Sequence, residues 1–204
     1  ARLLHKELFP DEAVPHPFQS VLCPGLSKSL LESELFGAMK GSFTDRSSTS
    51  AGLILNACNG VLFLDEIADV GLDIQAKLLK FLDDSVVRPL GWNLPGGIRV
   101  PVVIVAATNA PLEERVAAST FRGDLLYRLQ RYELRIPSLG ERLRDLDGLV
   151  DFVLQNPEIN RRSEKVGDFY VTHLETSVLE KLRDRPWPGN FRQLESVLQK
   201  AVFR

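Results

Sequence analysis

The sequence predicts an α/β fold: a parallel sheet flanked by helices, with a small all-helical domain behind it. Three observations carry that prediction. Short, near-continuous apolar runs rich in branched residues recur through about residue 136, as strands buried on both faces of a parallel sheet require. Longer helical patterns separate these runs, and that alternation is the mark of a twisted parallel sheet with covering helices. After "LRIPSLGERLRDL" the strand signals stop and only helical periodicity remains.

Taken in order, "FQSVLC" (18–23), "GVLFLD" (60–65) and "VPVVIVAAT" (100–108) read as the buried strands. Between the second and third, "GLDIQAKLLKFLDD" places Leu72, Gln75 with Ala76, Leu79 and Leu82 close to one face of a helix. Pro137 marks the expected boundary, giving an α/β domain over 1–137 and a helical domain over 138–204. Within the latter, "RDLDGLVDFVLQ", "HLETSVLEKLRD" and "GNFRQLESVLQKAVFR" are helical, the last with Phe191, Leu194, Val197, Leu198 and Ala201 on one stripe. "NLPGGIR" (93–99) and "NPEINRRSEKVGD" (156–168) read as loops, the first by its glycines and proline, the second by its polarity. There is no internal repeat and no low-complexity tract.

Composition narrows the function classes. The 204 residues are 44% hydrophobic and 25% charged, enough for a buried core and unlike a disordered tail. Lys and Arg number 25 against 27 Asp and Glu, a formal net charge of −2, which argues against a dedicated DNA-binding module. Cys23 and Cys58 form no CxxC, and His5, His16 and His173 are scattered, so no metal-ligand spacing is present. The longest apolar stretch, "VPVVIVAA", is too short to span a bilayer. A cytoplasmic protein with no membrane partner is the expectation.

Four short motifs carry chemistry. "GVLFLDEI" ends an apolar strand in Asp65 and Glu66, at the carboxyl edge of the sheet where open α/β folds bind ligands. There an Asp can hold hydrated Mg²⁺ bridging phosphate oxygens, and the next Glu can orient or deprotonate water. Surface acids between a strand and a helix starting at Asp69 to Gly71 are the plainer alternative. "AATN" places Thr108 and Asn109 at a second strand end, as a γ-phosphate sensor or, equally simply, as an N-cap for "APLEERVAAS". In "FRGDLLYRL", Arg122 and Arg128 stand six apart, about 240° around a helix, so they cannot serve one face equally. They are either contacts to phosphates, one of them across a subunit interface, or solvated helix arginines. "WPGNFRQLE" reads as a sharp turn, an Asn190 cap and a helix with Arg192 in its first turn.

These motifs stand in a fixed order, and together the chain resembles the central AAA+ domain of sigma-54-dependent transcriptional activators, the bacterial enhancer-binding proteins. The resemblance spans Ala1 to Arg204 and rests on "LLESELFGAMKGSFT", "NGVLFLDEIADV", "VVIVAATN", "FRGDLLYRL", "IPSLGERLRDL" and "RPWPGNFRQLE". It implies an AAA+ P-loop-type sheet with a helical lid, binding ATP with Mg²⁺ in a ring, usually a hexamer, that remodels the sigma-54 RNA polymerase complex. By resemblance, Asp65 and Glu66 match the Walker B acids, with Asp65 serving Mg²⁺, and Asn109 falls at the first sensor position. Arg122 and Arg128 match the arginines offered to the neighbouring subunit's ATP, and Arg192 the second sensor. Gly41, Ser42, Phe43 and Thr44 fall where the family carries its sigma-contacting loop, GAFTGA. DNA contact is expected only through a domain outside these residues.

The sequence departs from the family's pattern at four places. No Gly in these residues is followed by Lys, so the phosphate-gripping Walker A loop is not among them; the resemblance places it just before "ARLLHKEL". On their own, these 204 residues are therefore expected to bind ATP weakly or not at all. "GSFTDR" ends in Asp45 and Arg46 instead of Gly-Ala, a bulkier and more hydrated tip that puts sigma-54 contact in question. Leu22 stands where the family carries an Asn that restrains the Walker B glutamate, and it can make no hydrogen bond to Glu66. Gly140 stands where Arg is usual. These departures keep a second reading open, a regulatory oligomerisation module without hydrolysis or sigma-54 engagement.

Overall fold

The computed structural model describes residues 1–11, 15–40, 49–160, 168–169 and 171–202. The chain divides into two compact units, Ala1–Glu133 and Leu134–Arg204.

The first unit contains, in order, α1 (Arg2–Leu8), β1 (Phe18–Leu22), α2 (Lys28–Phe36), β2 (Gly37–Ala38), β3 (Ser50–Ala51), α3 (Leu53–Asn56), β4 (Val61–Asp65), α4 (Leu72–Asp84), β5 (Val86–Val87), β6 (Ile98–Arg99), β7 (Val103–Ala106), α5 (Leu112–Ala117) and α6 (Gly123–Leu129). Its main sheet is parallel, in the order β1-β4-β7, as the apolar runs predict. The central strand β4 buries Val61, Leu62 and Leu64, so both its faces are covered. The edge strand β1 carries the polar Gln19 and Ser20 and buries only Val21. Leu35, Ile54, Ile67 and Leu125 complete the core around the sheet.

Helix α4 forms as expected but turns a different face inward. It buries Ile74, Gln75, Leu78 and Phe81, whereas Leu72 is 46% exposed and Leu79 and Leu82 are half-buried. The apolar residues cover more than one stripe, and the face centred on Ile74, Leu78 and Phe81 wins because it carries the larger side chains at i, i+4 and i+7. The predicted loop 93–99 ends in strand: Ile98 and Arg99 pair antiparallel with Val87 and Val86.

Gly60 sets the start of β4. A Cβ there would lie 2.0 Å from the Pro17 carbonyl oxygen, while the next residue, Val61, donates its N–H to that same oxygen at 2.9 Å. Gly60→Ala is therefore expected to cost about 3 kcal/mol. A thermal melt of the purified protein should show Tm falling by about 6–12 °C.

The second unit holds a 3-10 segment (Leu139–Asp145), α7 (Leu146–Leu154), α8 (Thr176–Arg183) and α9 (Asn190–Val202) around Leu146, Val150, Trp187, Leu194 and Leu198. On the predicted α9 stripe, Leu194 and Leu198 are buried and Phe191 and Val197 half-buried, but Ala201 is exposed. Asn190 does not cap its own helix. It sits at φ 51, and its Oδ1 accepts the Leu139 N–H at 2.8 Å, while the Gly189 N–H is taken by Gln193 Oε1. Of the predicted loop 156–168, residues 161–167 lie outside the described residues, and Asn160 is fully buried, donating from Nδ2 to the Leu154 and Val171 carbonyls and accepting the Val171 N–H.

Candidate functional site at the carboxyl edge of the sheet

Asp65 ends β4, and Glu66 follows it in a left-handed conformation, φ 55 and ψ 52. Such a conformation costs a residue with a Cβ about 1–2 kcal/mol. It is imposed by what comes next. The Ile67 N–H donates to the Ala107 carbonyl at 3.0 Å, the Ala107 N–H donates to Leu64 at 2.9 Å, and Ile67 and Ala68 are buried directly behind. The chain must turn sharply at Glu66 to put Ile67 into the core, and the turn leaves the Glu66 carboxylate at the sheet edge. Glu66 Oε2 accepts the Asn109 N–H over a long 3.4 Å. The ends of β4 and β7 thus bring Asp65, Glu66 and Asn109 together.

Asn109 is exposed, and the N-cap of α5 is Pro111, so the capping alternative for Asn109 does not hold. Thr108 Oγ1 instead accepts the Ala110 N–H at 3.1 Å and closes the local turn. Leu22 lies opposite Asp65 in the β1–β4 register and is 54% exposed, at the same edge as the acids. A cavity of about 380 Å³ opens beside Asp65, lined by Ala1, Arg2, Phe18, Ser20, Leu22 and Phe63 among others.

Buried Cys23, just beyond β1, has its thiol pushed up to about 11 from 9.0, first by burial and then by the charges of Asp65, Asp69 and Glu66. Because the folded value is raised, this thiol's contribution to stability is complete below pH 9.0 and is lost as pH climbs through about 11. Cys23 should therefore resist iodoacetamide at neutral pH while half-buried Cys58 reacts, and denaturant should equalise them. Peptide mapping of the alkylated protein checks this.

Among the described residues, no group of three or more His, Cys, Asp or Glu could hold a metal ion by itself. Two adjacent carboxylates fit a hard cation such as Mg²⁺, which keeps waters and draws further oxygens from phosphates instead of needing a full protein cage. The donor set fits that ion and does not suit a structural zinc.

The two arginines have different surroundings. Arg122 is the N-cap of α6 with extended backbone, φ −81 and ψ 127, so the helical angle between the pair does not apply. Its Nη2 and Nε donate to Asp124 at 2.7 and 3.0 Å. That contact holds the Asp124 carboxyl below its ordinary range and raises the guanidinium further. Both side chains are exposed, so the pair adds little stability and can exchange for another oxyanion. Arg128, in the last turn of α6, reaches back to the end of α4, donating to the Leu82 carbonyl at 3.0 Å and pairing with Asp83 at 3.4 Å. Arg192 is exposed in the first turn of α9, within the second unit. Gly41, Ser42, Phe43 and Thr44 lie outside the described residues.

Gln75, predicted only as part of a helix face, has contacts that its position in the sequence does not reveal. It is fully buried, and its amide joins the backbone at Val70, Thr120 and Arg122. Only its burial is signalled there, by a place between Ile74 and Leu78 within an apolar stripe.

Comparison with known proteins follows the same lines. Residues 1–135 match the sigma-54 interaction domain, and residues 140–204 match the AAA+ ATPase lid domain. The transcriptional regulatory protein GlrR of Escherichia coli is 39% identical over 186 residues, covering 91% of this chain and 40% of that protein. The crystal structure of NtrX from Brucella abortus superposes with a TM-score of 0.76 at 29% identity, covering 92% of this chain and 40% of that one. The same protein in complex with ATP gives 0.74 at 28% identity, covering 92% and 38%. The chain thus spans about 40% of the length of GlrR. No helix among the described residues is long and apolar enough to cross a membrane. With both family signatures covering nearly all its length, the chain belongs to the sigma-54 interaction domain family and has an AAA+ fold.

Proposed function

We propose that this chain is the ATP-driven motor of a sigma-54-dependent-type transcriptional regulator, acting in a ring to remodel the RNA polymerase–sigma complex. The observation that carries the proposal is Glu66, held in a left-handed turn directly after Asp65 with its carboxylate against the Asn109 N–H. Strain of that kind persists where the surrounding structure enforces it, and it is concentrated at functional sites.

Each residue then has a task. Asp65 would hold a hydrated Mg²⁺, which would supply positive charge to offset that of the phosphates. Glu66 orients and deprotonates the attacking water. Asn109 reports on the γ-phosphate side of the site through its contact with Glu66. Arg122 exchanges Asp124 for a phosphate of the neighbouring subunit, and Arg128 takes the same direction once released from Leu82 and Asp83.

Leu22 leaves Glu66 without the side-chain restraint usual at that position, so hydrolysis here is less tightly governed by sigma-54 contact. The test is ATP turnover by the full-length protein containing this chain, set beside its Glu66→Gln variant. Absence of turnover in the unmodified protein under conditions where it binds ATP would refute the motor reading.

A further inference from the structure

The geometry points to Gln75 as a positioning residue that ties the turn behind Glu66 to the turn presenting Arg122; the inference rests on the role given to Arg122 above. A buried amide needs partners for two donors and one acceptor group. Gln75 is 0% exposed and finds all of them on the backbone. Its Nε2 donates to the Val70 carbonyl at 2.6 Å and to the Thr120 carbonyl at 3.2 Å, and its Oε1 accepts the Arg122 N–H at 2.8 Å.

These partners belong to the two ends of the proposed chemistry. Val70 closes the 3-10 turn Ile67–Asp69, which follows Glu66 directly. Thr120 and Arg122 flank Phe121, a 2% exposed plug, and lead into α6. A second connection runs alongside: Asp69 pairs with Arg115 at 3.4 Å, and the Arg115 carbonyl accepts the N–H groups of Thr120 and Phe121. That ion pair is exposed, 41% and 43%, and exposed pairs yield easily. The Gln75 link is buried, where hydrogen bonds are stronger and costlier to leave unmade.

A movement of the turn behind Glu66 must therefore either carry the Arg122 backbone with it or break buried hydrogen bonds. Glu66 serves a subunit's own ATP, while Arg122 serves its neighbour's. Gln75 passes the state of one site to the next around the ring.

The experiment is a double-mutant cycle in the full-length protein with Gln75→Met, which keeps length and burial but removes all three bonds, and Arg122→Ala. Gln75→Met is expected to lower kcat about 10- to 100-fold, the scale of a catalytic group displaced by about 1 Å. KM for ATP should stay within about 2-fold, because the residues holding the subunit's own nucleotide are untouched. In the Arg122→Ala background the same change should lower kcat by less than about 2-fold, since residues acting as one unit are not additive. An equal loss in both backgrounds, or wild-type kcat in Gln75→Met while Arg122→Ala is impaired, overturns the role of Gln75 alone. Wild-type turnover in Arg122→Ala overturns the arginine reading itself.

Should Gln75→Met not fold, amide exchange of the unmodified protein decides. The Arg122 N–H is expected to change its protection between ADP and a non-hydrolysable ATP analogue, and identical protection in both overturns the coupling.

Discussion

Glu66→Gln in the full-length protein is expected to lower ATP turnover at saturating nucleotide by about 10²- to 10⁴-fold, the contribution of a positioned general base. The substitution keeps the shape of the side chain and an oxygen able to accept the Asn109 N–H, so the β4–β7 edge should survive it. What it removes is the basic carboxylate. ATP affinity should therefore stay within a few-fold, and the variant should hold ATP without cleaving it. Phosphate release and nucleotide binding, measured on the same preparation, separate the two. Turnover at the unmodified level would take Glu66 out of the chemistry. Glu66→Gly supplies a second arm. It relieves a left-handed conformation worth about 1–2 kcal/mol and adds about 0.5–1 kcal/mol of unfolded-state freedom. Stability equal to or above that of the unmodified protein, together with lost turnover, would mark the turn at Glu66 as strained for function.

The chain of apolar runs made the parallel sheet legible because burial on both faces leaves a pattern in single residues. Val61, Leu62 and Leu64 in β4 are a direct example. The acids were legible for the same reason, since Asp65 and Glu66 end that run abruptly. Less legible was anything set by side-chain amides reaching distant backbone. Gln75 is read from the sequence only as a member of a helix face and Asn160 only as part of a polar loop, yet both are fully buried because carbonyls and an N–H elsewhere in the fold satisfy them. Asn190 shows the same limit: local rules assign it to its own helix, and its oxygen serves Leu139. The face of α4 was misjudged by one step around the helix. Its apolar residues outnumber those of a single stripe, and only the bulk packed against Phe81 and Leu78 settles the choice. The arginine pair was mistaken in its premise, because Arg122 stands before α6 and not on it.

That position makes Arg122 the residue whose loss should be felt between subunits. Arg122→Ala is expected to reduce turnover by about 10³- to 10⁵-fold, the range of an arginine completing a phosphoryl-transfer site from another subunit. The side chain is suited to the task by its present contacts. Its guanidinium is held by Asp124 two residues on, in a fork that a phosphate oxygen can replace, and the pair is exposed enough to open readily. Arg128 differs, since it is engaged by the carbonyl of Leu82 and by Asp83 at the end of α4. Arg128→Ala should therefore loosen the α4–α6 junction and lower stability as well as turnover. The decisive measurement mixes two inactive proteins. Arg122→Ala leaves a subunit's own acids intact, and Glu66→Gln leaves its arginine intact. Wherever an Arg122→Ala subunit's ATP faces the arginine of a Glu66→Gln neighbour, one complete site forms. Turnover should reappear on mixing, rise with the fraction of mixed contacts and vanish on dilution below the assembly concentration. Mixtures as inactive as their components would place Arg122 in its own subunit's site and remove the basis for a shared one.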